Sequence, residues 1–192
     1  MSLIIGLDVS TAVTGYTVLD QDGKLVELGY IDTTKEKATS LWTVADKIRH
    51  EISRLSVGRQ YSHLYIEENL QTFRSGFSSA HTIATLAKIN GIVSYMARLA
   101  FNIEPTYISS AVARRECGLK ILKPKTPADK KNPRYVKQQV YEQMVLLHPV
   151  LVQQPWPITK PSKVNPQGRL QDCCYDMMDS FVIAVAGLKQ HI

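Results

Sequence analysis

Five carboxylates stand where a surface acid would be out of place. Asp8 sits in the apolar run LIIGLDV, Glu67 closes a second apolar run in HLYIEEN, and Asp172, Asp176 and Asp179 fall at i, i+4 and i+7 of QDCCYDMMDSFVIA. An Asp late in a strand is commonly a turn former or a helix cap, so neither Asp8 nor Glu67 is decisive alone. Glu68 points to the opposite side if the strand continues, which leaves Glu67 to face a site. The three aspartates share one helix face, and like charges at that spacing repel. The helix dipole favours Asp172 in the first turn, so capping accounts for it well and for Asp176 and Asp179 less well. Carboxylates converging from separate elements need cations to screen them, since otherwise they raise one another's pKa. Hard oxygen donors select Mg²⁺ or Mn²⁺, and two such ions about 4 Å apart can activate water and hold the leaving oxygen of a phosphoryl displacement. The chemistry suggested is hydrolysis of a phosphodiester. No His/Cys cluster supports zinc, and no GxxxxGK[ST] supports a P-loop ATPase.

The elements that must position these groups follow from pattern. Leu3 to Val9, Tyr16 to Leu19 and Leu25 to Ile31 are strands, with Asp22-Gly23 a tight turn, so the chain opens as an antiparallel meander. Gly15 and the small residues before it let the chain turn tightly and bring backbone N–H groups near a ligand. Leu41, Val44, Ala45, Ile48, Ile52 and Leu55 have helical spacing. His63 to Glu67 is a strand, a helix runs from about His81 to Leu99, and Pro105 to Ile108 is the last strand. Helices follow at Ser110–Glu116, Tyr135–Leu147 and about Leu170–Leu188. Residues 149–168 carry five prolines and read as nearly structureless, within a proline-rich loop of about 148–169. A meander followed by alternation with helices gives an α/β fold, a mixed sheet with helices on both faces.

The 192 residues suit one domain, which at this length needs no disulfide or structural metal to fold. Three cysteines, two of them adjacent, form no disulfide framework and point to a reducing compartment: the cytoplasm, of the host if the protein is viral, or else an organelle or the nucleus. The N-terminal apolar run has no basic stretch before it and reads as a buried strand, not a signal peptide. The eight-residue FVIAVAGL cannot span a bilayer, so no membrane partner is expected. Net charge is +6, and it is concentrated. Between Arg114 and Lys137 nine Lys and Arg (Arg114, Arg115, Lys120, Lys123, Lys125, Lys130, Lys131, Arg134, Lys137) face two acidic residues, a local +7, so the rest of the chain nets −1. That concentration suits a phosphate backbone, although KPKTPADKKNPR also has the composition of an exposed linker. Lys160, Lys163 and Arg169 add a weaker patch.

Taken together, IIGLDVSTAVTGYTVLD, LYIEEN and CYDMMDSFVIAVAG resemble the RuvC family of Holliday junction resolvases, within the RNase H-like (retroviral-integrase) superfamily. The opening strand supplies Asp8, the second apolar strand Glu67, and the start of an Ala-rich last helix the pair Asp176 and Asp179. The family's basic residue in a KxxV setting corresponds to Lys137 in KQQV. Two departures stand out: VSTAVTG replaces a more glycine-rich turn, and the proline-rich segment before the Asp pair is much longer, which suggests a viral or otherwise divergent member.

The resemblance implies a single RNase H-like nuclease domain over 1–192 with a five-stranded mixed sheet. It implies a homodimeric Mg²⁺- or Mn²⁺-dependent endonuclease that resolves four-way DNA junctions by paired symmetric nicks. Asp8, Glu67, Asp176 and Asp179 would ligate two ions, and Lys137 would act at the phosphate. Arg114, Arg115, Lys120, Lys123, Lys130, Lys131, Arg134 and Lys137 would hold the DNA backbone. Phe73, with Arg74 beside it, or less readily Phe77, would wedge into the junction. The helix from His81 to Leu99 carries apolar residues on more than one side, and part of that face suits a two-fold dimer. Metal ligands serve the chemistry and not substrate shape, so RNA–DNA hybrid, other branched DNA or precursor RNA remain rival substrates. A non-catalytic nucleic-acid-binding protein is a rival of another class. Sugar-kinase and actin-like ATPases share the Asp and Gly/Thr opening but run far longer.

Overall fold

The computed structural model describes residues 2–68, 80–162 and 165–190. Phe73, Arg74, Phe77 and Lys163 lie outside the described residues. Strands β1 (Ser2–Asp8), β2 (Val13–Asp20) and β3 (Leu25–Asp32) are followed by α1 (Thr34–Lys37), α2 (Leu41–Ser56), β4 (Gln60–Glu67), α3 (Ala80–Phe101) and β5 (Pro105–Ile108). Then come α4 (Ser110–Glu116), α5 (Pro127–Lys131), α6 (Tyr135–Leu147), a 3₁₀ turn at Pro149–Gln153 and α7 (Cys173–Lys189). One sheet has the order β3-β2-β1-β4-β5. The meander is antiparallel, while β4 and β5 run parallel to β1. This is the RNase H-like mixed five-stranded sheet with helices on both faces.

Strand periodicity divides the interior in two. Ile5, Leu7, Val18, Leu64 and Ile66 point to one face and pack with the α2 stripe Val44, Ala45, Ile48, Ile52 and Leu55 and with Ile89, Val93, Ala97 and Phe101 of α3. Ile4, Leu19 and Tyr65 point to the other and pack against α7, α4 and α6. Because side chains alternate along a strand, Asp8 shares the face of Ile4, and Glu67 that of Tyr65. Both are therefore aimed at α7. Helix α2 starts where Ser40 accepts a bond from the Thr43 N–H, the usual N-cap arrangement.

Helix α7 is buried from Cys173 to Gly187 at every position except Asp176, which is half-buried, because it lies between the sheet and α4 and α6. Its approach to the sheet depends on two glycines. A Cβ on Gly6 would stand 2.6 Å from the Ser180 carbonyl oxygen, and one on Gly15 only 2.1 Å from that of Asp176. Gly15 lies inside β2, so its use is this backbone-to-backbone contact and not the turn expected from its sequence setting. In the same interface the Ser180 hydroxyl donates to the Met177 carbonyl oxygen at 2.7 Å and meets the Thr17 hydroxyl at 2.8 Å, so both groups are partnered where water cannot reach.

Three elements were not expected. Helix α1 has no buried residue and α5 has none either, so periodicity carries no trace of them. The third is the 3₁₀ turn at the head of the proline-rich segment. That segment is not structureless: Leu151 is fully buried, the Trp156 ring meets Tyr141 edge-on with centroids 5.1 Å apart, and Ile158 pairs with Leu170. This pairing also explains why α7 begins at Cys173 and not at Leu170. The three cysteines are free and buried. Among the described residues no helix is long and apolar enough to cross a membrane.

Candidate metal centre

Asp8 ends β1, and Asp176 and Asp179 occupy the first two turns of α7, seated on β1 and β2 through Gly6 and Gly15. One carboxylate oxygen from each of the three comes within 4.8 Å of the others. Glu67, at the end of the parallel neighbour β4, lies outside this group of three but is close enough to Asp8 for each carboxyl to shift the other. All four line a cleft of about 640 Å³ together with Ser10, Glu68, Ile83, Leu86, Ser110, Arg114 and Lys137. Strand β4 stops at Glu67, and Glu68 lines the same cleft instead of turning to the opposite face. Ile83 and Leu86, part of the wide apolar face of α3, are spent on the cleft wall.

Two cations answer four carboxyls. Lys137 Nζ donates to Asp176 at 2.6 Å and lies 3.4 Å from Asp179, and the Arg114 guanidinium lies 3.7 Å from Asp179. Burial first, then the charges of Glu67 and Asp179, push Asp8 well above the usual carboxylate range, with Lys137 pulling the other way. Glu67 is raised by burial and by Asp179 against the effect of Asp8. Asp176 is raised by burial despite Lys137. Burial alone would lower Lys137, but Asp179 and Asp176 outweigh it and hold its proton above the ordinary lysine value. This oxygen-only, partly buried and charge-deficient donor set fits a divalent cation of the hard class.

The sign of the pH dependence follows. Raised carboxyl pKa values mean that the folded metal-free protein keeps protons the unfolded chain would release. The associated stability is present at low pH and is lost as pH rises from the ordinary carboxyl range of about 4 through the folded values. A bound cation replaces those protons, so the melting-temperature difference between Mg²⁺ and EDTA is expected to widen from about pH 5 to about pH 8. A gap independent of pH would refute the coupling.

The remaining predicted residues distribute as follows. Arg114 reaches the acidic cluster itself. Arg115 pairs with Glu116 at 2.9 Å. Arg134 makes a two-pronged ion pair with Asp172, one prong at 2.8 Å. Asp172 occupies the N-cap position of α7 without a side-chain capping bond, so its carboxylate serves Arg134 and not the helix. Lys120, Lys123, Lys130 and Lys131 are exposed. Lys120 and Leu122 lie along α6, where the Gln143 and Gln139 side-chain amides each bond both the N–H and the C=O of one of them. Thr126 and Asp129 form a capping box at α5, which commits that Asp locally.

Two supporting residues escaped the sequence reading. The buried Asn90 donates its amide to the Glu67 carbonyl oxygen at 3.0 Å and is held by Ser94, fixing α3 to the end of β4. Ser110 lines the cleft with Glu67 and acts to lower the pKa of its carboxyl. The signal for the first was present: a polar pair at i, i+4 on the face shared by Ile89, Val93 and Ala97.

No family model and no curated protein matches this sequence. Solved structures do. RuvC of Thermus thermophilus in complex with a Holliday junction substrate matches with a TM-score of 0.61 at 11% identity, covering 100% of this chain and 95% of that one. Thermus thermophilus RuvC also matches in a second structure, with a TM-score of 0.57 at 12% identity over 98% and 95%. The yeast mitochondrial Holliday junction resolvase Ydc2 matches with a TM-score of 0.53 at 15% identity over 98% and 78%. At these identities the likeness is one of fold.

Proposed function

We propose that this chain is a divalent-metal-dependent endonuclease that resolves four-way DNA junctions, acting as a homodimer in recombination and repair. The observation that carries the reading is the meeting of Asp8, Asp176 and Asp179 within 4.8 Å in a cleft walled by Lys137 and Arg114. Asp8, Glu67, Asp176 and Asp179 would hold two Mg²⁺ or Mn²⁺ ions, which supply Lewis acidity toward a phosphodiester oxygen and toward water. Lys137 keeps its proton throughout the physiological range, so it serves as a fixed positive charge toward the phosphate and not as a base. Arg114 adds a planar donor on the same wall. The exposed lysines from Lys120 to Lys131 extend this charge away from the cleft and would position a backbone without reading bases. Tyr95 and Leu99, one turn apart on α3 and both largely exposed, offer an apolar surface to a second copy. All three cysteines are free, in keeping with the cytoplasm.

The deciding experiment compares a synthetic immobile four-way junction with a linear duplex and an RNA–DNA hybrid of matched sequence, each with Mg²⁺, Mn²⁺ or EDTA. Paired symmetric nicks in the junction alone, absent with EDTA, are expected. Cleavage of the hybrid or of every branched form would keep the chemistry and replace the substrate. Binding without cleavage under all three conditions would sink the enzyme.

A further inference from the structure

From Gln143 to Gln171 the chain contains no acidic residue, and its Lys and Arg side chains are Lys160, Lys163 and Arg169. A stretch of this composition could be a solvated loop, but its ends are fastened. The Trp156 indole donates to the Leu151 carbonyl at 2.8 Å, and its ring packs on Tyr141. The Cys174 thiol donates to the Pro157 carbonyl at 3.2 Å, and Gln171 bonds the carbonyls of Pro157 and Ile158 through its backbone and its side chain. Beyond these anchors the chain forms a short antiparallel arm. Ile158 pairs with Leu170, the Thr159 N–H donates to the Arg169 carbonyl at 2.8 Å, and the Arg169 N–H donates to the Thr159 hydroxyl at 3.1 Å. The outer turn is closed by the Ser162 and Gly168 N–H groups on the Asn165 carbonyl. Gly168 has a φ of 74°, and a Cβ there would fall 2.3 Å from the Thr159 carbonyl oxygen, so the arm narrows at a position only glycine fits.

The anchors fix where the arm stands. Tyr141 lies one turn beyond Lys137 on α6, and Cys174 lies two residues before Asp176 on α7, so the base is tied to the two helix turns that build the cleft. Arg169 is close enough to Asp172 to act on its carboxylate, after the stronger effect of Arg134. Lys160 and Arg169 are both exposed. Cations on an anchored, proline-stiffened arm meet a ligand with less ordering to lose than cations on a free loop.

We propose that the paired segments 158–162 and 165–170 are a second DNA-backbone contact, distinct from the Arg114–Lys137 stretch, in which Lys160 and Arg169 grip phosphates of a strand leaving the cleft. This rests on the reading of the chain as a DNA-acting protein. The test is fluorescence anisotropy of a labelled junction over a KCl series in EDTA, where nothing is cut, comparing the intact chain with K160Q/R169Q. The double variant is expected to bind roughly tenfold more weakly at fixed salt, with the slope of log K against log[KCl] reduced by about 2. Its melting temperature should be unchanged. If the pair destabilises the arm, Lys160→Gln alone, at an exposed position, should still reduce the slope by about 1. Unchanged affinity and slope in a variant, with the intact chain binding normally, would overturn the arm and leave the functional reading standing. An intact chain that binds no DNA would overturn both.

Discussion

Asp8→Asn is expected to abolish cleavage and, in the same protein, to make the metal-free fold more stable. Asp8 is the residue on which the cluster converges: it lies with Asp176 and Asp179 and shares the cleft with Glu67, whose charge acts on it. On the proposed reading, losing its charge removes one of the metal ligands. The loss of transition-state charge stabilisation by a metal is several kcal/mol, so the rate should fall by at least about 10²–10³-fold. Stability moves the other way, because burial and the neighbouring carboxylates oppose the Asp8 charge. An Asn amide is neutral and carries a donor for the neighbouring Glu67 carboxylate, so the opposition to the Asp8 charge disappears. The gain should be about 1 kcal/mol, the usual scale for relieving an active-site conflict, or about 2–4 °C in melting temperature in EDTA. The ranking should shrink or invert in saturating Mg²⁺, which stabilises only the chain that binds it. Equal melting temperatures in EDTA would remove the electrostatic account of the cluster while leaving its catalytic role to the cleavage assay.

Gly15→Ala should be among the most damaging single-methyl additions in the molecule. Its Cβ would lie 2.1 Å from the Asp176 carbonyl oxygen and 2.5 Å from the carbonyl carbon. Both contacts are to the Asp176 backbone of α7, and the Cβ would be fixed to the backbone of β2, so no rotamer change relieves them. Either α7 lifts from the sheet or β2 bends. Overpacking of this kind removes about 1–3 kcal/mol, and the upper end applies where two backbones collide. Lifting α7 also carries Asp176 away from Asp8, so Mg²⁺ affinity should fall with stability. Gly91→Ala is the matched control: it sits on the exposed side of α3 with nothing within 4 Å of a new Cβ, and should stabilise by about 0.5–1 kcal/mol. Urea unfolding of both variants in EDTA and in Mg²⁺ reads all of these effects. A Gly15→Ala protein with wild-type stability would show that the β2–α7 contact is looser than its geometry.

Whatever repeats at short range could be read from the sequence. The continuous apolar run LIIGLDV and the 3.6-residue stripe from Leu41 to Leu55 define a strand buried on both faces and a helix buried on one, and the structure keeps them within a residue or two. The convergence of Asp8, Asp176 and Asp179 was legible because each carboxylate interrupts an otherwise apolar pattern. What escaped depends on contacts distant in sequence or on no burial at all. Helix α5 left a cap signal in Thr126-Pro127-Ala128-Asp129, but its lysine-rich setting reads equally as linker. The fastening of Trp156 to Tyr141 and of Pro157 to Cys174 has no period, so the proline-rich segment looked shapeless. Gly15 was assigned to a turn because sequence shows where a glycine is and not which strand or helix presses on it.

The pairing of the first strand with the last helix has a consequence for synthesis. Asp8 leaves the ribosome 168 residues before Asp176 (176 − 8), and α7 is also the lid over the Ile4, Leu19 and Tyr65 face of the sheet. Until that helix emerges and docks, the nascent protein has a bare apolar sheet face and only half of its acidic cluster. Contacts this far apart in sequence close late. A polypeptide stalled before α7 would therefore be a client for chaperones and would lack Asp176 and Asp179, so on the proposed reading it could hold DNA through its basic residues but cut only once α7 has docked.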